Sequence, residues 1–108
     1  MCANEDIVRI KHMLDAASKA SEFVKGKSRD DLDSDEKLAL ALVRLIEIFG
    51  EAANALSEAF REKHPDVPWR SIIGTRNRLI HGYFDVDLDI IWNIVSKDLP
   101  TLAGKFSK

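Results

Sequence analysis

Apolar residues in this chain recur at alternating intervals of three and four, the spacing that lines one face of an α-helix. The first such stripe runs Ile7, Ile10, Leu14, Ala17, Ser21 and Val24, and predicts a helix from about Asn4 to Lys25. Asn4 is its candidate N-cap, Glu5 and Asp6 complement the positive end of the helix dipole, and Lys25 with Gly26 suits the exit. A longer stripe, Leu38, Leu42, Leu45, Phe49, Ala52, Leu56 and Ala59, predicts a second helix capped by Ser34 and running to Pro65. Leu40, Ala41, Ile46, Ile48 and Ala53 broaden its apolar face, so it reads as a spine that meets more than one neighbour.

Pro68 can open a third helix carrying Trp69, Ile72, Ile73, Leu79 and Ile80, with Gly82 allowing a sharp exit. Asp85 or Asp87 can cap a fourth, whose buried face is Leu88, Ile91, Trp92, Val95, Leu99 and Leu102; Pro100 should bend it without abolishing it. No two-residue alternation, hairpin turn or internal repeat interrupts this pattern. The expected fold is all-α: an antiparallel up-and-down bundle of four to five helices forming a single domain over residues 1–108.

Composition narrows the partners. With 45% hydrophobic and 31% charged residues, the chain has enough apolar surface for one core and too little for two. Cys2 is the only cysteine, which excludes an internal disulfide and a thiolate metal cluster. Charges from Glu5 to Asp15 break any secretory segment and no apolar run is long enough to cross a bilayer, so a cytoplasmic protein is expected, with no membrane partner. The net charge of −2 is unevenly spread. Asp30, Asp31, Asp33, Asp35 and Glu36 form an acidic stretch that lacks the pattern of a calcium loop and reads as a solvated linker. Arg61, Lys63, Arg70, Arg76 and Arg78 leave the region up to His81 locally positive, where a phosphate-bearing partner would dock.

Two groupings carry chemistry. Along the second helix, Arg44, Glu47, Glu51, Asn54 and Glu58 form a polar seam, either a solvated face with charge pairs or a support for a neighbouring site. Further on, Arg76-Asn77-Arg78-Leu79-Ile80-His81-Gly82-Tyr83 gathers two guanidiniums, an amide, an imidazole and a phenol. Arginine grips phosphate oxygens with a planar fork, and histidine exchanges protons near neutral pH. On one straight helix, positions 76 and 81 would point about 140° apart. A turn at Gly82, a twofold partner, or both must bring them together, and a homodimer is expected. A hydrogen-bonded Arg76–His81 pair that merely holds a helix end is the structural alternative. His12 and His64 lack neighbours at ligand spacing and read as surface residues, so no metal site is expected; Trp69 and Trp92 read as core or interface anchors.

Arg76, four intervening residues, His81, one residue and Tyr83 resemble the R-x4-H-x-Y form of the HEPN motif, as found in HepT-like ribonucleases. The similarity extends to the stretch Arg44–Asn54, to Pro68-Trp69 and to Asp98-Leu99-Pro100. It implies a HEPN-like, dimeric ribonuclease that needs neither cofactor nor metal, with Arg76 and His81 catalytic. Asn77 would support them, with Arg78, Glu47, Glu51 and Asn54 as further polar neighbours. It also implies a toxin–antitoxin pair in which a nucleotidyltransferase of the MntA kind transfers AMP to Tyr83. Two other readings stay open: a non-catalytic subunit that regulates or presents substrate to a nucleotidyltransferase, and a nucleotide-binding domain without cleavage.

Overall fold

A computed structural model describes residues 4–79 and 87–106, and every described element is helical. In order these are α1 (Asn4–Val24), α2 (Asp31–Ser34), α3 (Glu36–Asn54), α4 (Glu58–Glu62), α5 (Trp69–Leu79), α6 (Leu88–Asn93), a π-helical turn (Ile94–Asp98) and α7 (Leu99–Phe106). None of these helices is long and apolar enough to cross a membrane.

Helix α1 buries a stripe rotated by about one residue from the expected one. Asp6, Met13, Ala16, Ala17 and Ala20 are buried and Ile10 and Val24 partly so, whereas Ile7 and Ser21 are exposed. The apolar pattern failed here because one position on the buried stripe is a carboxylate. Asp6 accepts hydrogen bonds from the backbone N–H of Ser57 (2.9 Å) and from its hydroxyl (2.7 Å). The contact sets the start of α1 beside the end of α3, so the two helices run antiparallel. Asn4 is the first helical residue rather than a described cap, and the helix stops at Val24 because Gly26 takes a left-handed φ of 76°.

The same contact explains why the expected second helix is divided. Its cap is Asp35, which accepts from Leu38 N at 3.0 Å, and not Ser34, which closes α2. Its continuous run ends at Asn54. Ser57 leaves the helical region (φ −65°, ψ 154°), meets Asp6, and caps α4 by accepting from Phe60 N at 3.1 Å. Helical periodicity continues through this break, so only the partner on α1 reveals it.

Helix α3 is the spine. It buries Leu42, Val43, Leu45, Ile46, Phe49, Ala52 and Ala53 over a wide arc, with α1 against one part and α5 against another. Leu40, expected on that face, is 57% exposed. At Gly50 a Cβ would lie 3.4 Å from the backbone oxygen of Ile72, so this small residue lets α5 cross close to α3.

The last helix begins under the Asp87 cap, one of the two candidates, which accepts from Ile90 N at 3.1 Å. It accommodates Pro100 by widening into a π turn, where Leu99 N–H reaches back to Ile94 O. Proline cannot donate to the preceding turn and its ring crowds the carbonyl there, which the wider turn relieves.

The acidic stretch is more than a solvated linker. Leu32 is buried, and Arg29 donates from Nε to Asp89 at 2.6 Å and pairs with Asp33 at 3.2 Å, joining this stretch to the first turn of α6. The Asp89 hydrogen bond is the main reason that the Arg29 guanidinium holds its proton more tightly than usual.

Candidate functional site

Helix α5 carries the first half of the motif. Its backbone includes positions 76, 77 and 78, and position 76 follows Ile72 by one turn, on the stripe that begins at Trp69. The side chains of Arg76, Asn77 and Arg78 lie outside the described residues, as do His81, Gly82 and Tyr83 altogether. The site is therefore described by what holds α5.

Trp69 fixes its first turn. The indole N–H donates to the carbonyls of Arg61 (3.1 Å) and His64 (3.0 Å). Its ring packs in a cluster with Phe60, His64 and Phe106, at centroid distances of 6.3 Å to Phe60 and 5.8 Å to Phe106. Trp69 thus acts as the expected anchor. His64 departs from its expected surface position: it is partly buried, 4.6 Å from the Phe60 ring and 5.9 Å from that of Phe106. An isolated histidine can fill an aromatic cluster as well as water, and sequence spacing does not distinguish the two. Lys105 on α7 pairs with Asp66 at 3.2 Å across the same turn; its hydrogen bond is the chief cause holding the Asp66 carboxyl below the ordinary range.

The expected polar seam divides between the body of α3 and its junction with α4. Arg44 and Glu51 face water and approach each other at 3.9 Å, while Glu47 is partly buried. Asn54 and Glu58 instead line an open groove with Arg61, Trp69, Arg70 and Gly74. Part of the seam therefore meets α5. Arg61 and Arg70 belong to the locally positive region expected to meet phosphate, whereas Gly50 and Gly74 had no place in the expected site, although a glycine inside a predicted helix is itself a signal of close approach.

A second depression of about 350 Å³ lies on the other flank of α5, floored by Phe49, Ile72 and Leu102 and bordered by Lys97 and Asp98 of the π turn. Among the described residues no group of three or more histidine, cysteine or acidic side chains converges.

The model of the family "Ribonuclease HepT-like" matches residues 13–108, a span that contains the whole motif from Arg76 to Tyr83. The chain belongs to the HepT-like ribonuclease family. It is similar to a "Probable ribonuclease HepT" of Thermococcus cleftensis, with 36% identity over 99 residues, covering 92% of this chain and 90% of that protein. It is also similar to a "Putative RNase" of Caldanaerobacter subterraneus, with 45% identity over 93 residues, covering 86% and 83%. A longer protein of Methanocaldococcus jannaschii, named "Gamma-glutamylcyclotransferase and putative RNase", is 38% identical over 101 residues, which make up 46% of its length. No solved structure matches the chain.

Proposed function

We propose that this HepT-like chain is a toxin-type RNA endonuclease that works without metal as a homodimer, with Arg76 and His81 as its catalytic residues. The observation that carries this reading is the family match over residues 13–108, which takes in Arg76, His81 and Tyr83 in the order and spacing of the motif. In RNA the 2′-hydroxyl is an internal nucleophile. It loses its proton to one His81, its oxygen attacks phosphorus, and the bond from phosphorus to the 5′-oxygen breaks. A second His81, from the partner copy, gives a proton to the leaving oxygen. The products are a 2′,3′-cyclic phosphate and a 5′-hydroxyl end. Arg76 binds the phosphate oxygens and the charge that builds on them.

The test is incubation of the purified protein with total RNA, with and without chelator, beside Arg76→Ala and His81→Ala. Cleavage that resists chelator and disappears in both variants supports the reading, and activity retained in both overturns the assignment. Regulation is proposed at Tyr83, where a nucleotidyltransferase antitoxin transfers AMP to the phenolic oxygen. The added phosphate then competes with RNA for neighbouring guanidiniums, and the adenosine obstructs the cleft. Intact-mass measurement after co-expression with a cognate nucleotidyltransferase should show adenylate on the wild type and none on Tyr83→Phe.

A further inference from the structure

The groove beside α5 lies next to the motif, and the cleavage step proposed above does not use it. It has a volume of about 710 Å³ and is open along its length. Asn54, Glu58 and Arg61 form one side of it, and Arg70, Ile73 and Gly74 form the other. On α5 these last three positions define a stripe by intervals of three and four, and the next position on that stripe is 77, inside the motif. Position 76 points about 120° away from Arg70, but position 77 returns to the same face seven residues on, a rise of about 10 Å along the helix. A strand held at the motif therefore passes Arg70 within a short stretch of its backbone.

Three observations suit the groove to such a strand. First, neither Arg61 nor Arg70 has an ion-pair partner among the described residues, although Glu58 and Glu62 line the same groove. The two carboxylates balance the two guanidiniums, so the groove has no net basic field, and any phosphate held there is held by the planar fork of an individual arginine. Second, Gly74 lies inside a helix, where glycine is less stable than alanine. Its φ is ordinary, and a Cβ there would meet no atom of the described residues within 4 Å, so neither backbone strain nor packing among them requires a glycine. What the missing side chain does provide is room for another backbone to approach the helix. Third, the Trp69 ring is held at the end of the groove by its two hydrogen bonds, leaving a fixed and partly exposed aromatic edge.

We infer that single-stranded RNA runs from the motif into this groove, with Arg70 and Arg61 gripping successive phosphates and Gly74 admitting the sugar–phosphate backbone. The inference rests on the ribonuclease reading and adds the path of the substrate. Arg61 and Arg70 are binding residues here, with no part in proton transfer.

The experiment compares wild type, Arg70→Ala, Gly74→Leu and Gly74→Ala. Each is assayed by anisotropy with a labelled single-stranded RNA of about ten nucleotides, and by cleavage of that RNA against a dinucleotide too short to reach the groove. Arg70→Ala should weaken binding about tenfold and reduce the dependence of log Kd on log salt by about one phosphate contact. Gly74→Leu should lower the preference for the longer substrate about tenfold or more, with Gly74→Ala between it and the wild type. Light scattering should show the same mass for all four proteins. The inference is overturned if the wild type binds no RNA, or if the variants match the wild type in affinity, salt slope and substrate preference. It is also overturned if Gly74→Leu changes the molecular mass, which makes the groove a contact between copies. Wild-type cleavage of both substrates with unaltered variants leaves the ribonuclease reading standing and removes only the groove. RNA binding that follows Arg70 and Gly74 without any cleavage does the reverse.

Discussion

Helix α3 holds the two helices that pack most extensively on it, α1 and α5, in opposite ways. Against α1 it forms a sealed seam: Met13, Ala17 and Ala20 are buried, and the carboxylate of Asp6 receives both donors of Ser57. Against α5 the two backbones come close at Gly50, and beside that crossing lies an open groove with two guanidiniums that have no ion-pair partner among the described residues. One side spends its polar groups on holding the fold, whereas the other keeps them available to a ligand. Stability and activity should therefore respond to different residues.

The largest separation is expected at the motif. His81→Ala and Arg76→Ala should each reduce RNA cleavage by about 10²–10⁴-fold while leaving Tm within a few degrees of the wild type. Parallel activity and melting measurements check this, and a collapse of Tm in both variants would assign these residues to the fold. On the sealed side the effect should reverse. Met13→Ala, at a fully buried position, should cost about 2–5 kcal/mol, visible in denaturant titration. The fraction that remains folded should cleave RNA at the normal rate.

Two smaller effects test the junctions. Ser57→Ala removes the cap of α4 and should cost about 0.5–2 kcal/mol for that cap, again by denaturant titration. The same junction sets an acid dependence. The backbone N–H of Ser57 first, and then its hydroxyl, hold the Asp6 carboxyl below its ordinary value of 3.8, against a lesser opposing effect of burial. A folded pKa below the unfolded one means stabilisation that is complete above the unfolded value and is lost as pH falls through the folded value. Tm followed from about pH 6 down to about pH 2 should thus drop more steeply for the wild type than for Asp6→Asn. Parallel curves would show that this contact contributes nothing to acid sensitivity.

The smallest effects separate an open position from a weak one. Gly74→Ala should raise stability by about 0.5–1 kcal/mol, since the added methyl meets open space on a helix. Arg44→Ala should change it by about 0.5 kcal/mol or less, because its 3.9 Å pair with Glu51 is exposed on both sides.

Sequence periodicity determined much of this molecule by itself. The all-helical content, the broad burial of α3, an aspartate cap at residue 85 or 87 and the tolerance of Pro100 all follow from local rules of spacing, capping and backbone geometry, and the structure selects Asp87. The motif from Arg76 to Tyr83 was legible for the same reason: its residue types and intervals are local. Tertiary structure decided what depends on a distant partner. A charged residue such as Asp6 counts against a buried stripe until Ser57, 51 positions away, supplies its donors. The break between α3 and α4, the contact of His64 with the Phe106 ring and the link from Arg29 to Asp89 arise likewise from packing between segments far apart in the chain. The groove along α5 belongs to this second group, because Asn54 and Arg61 become neighbours of Arg70 and Gly74 only when α4 and α5 are set beside the end of α3. Hydrophobic spacing specifies which face of a helix is buried, but the polar contacts that orient helices and shape the space between them exist only once both partners are in place.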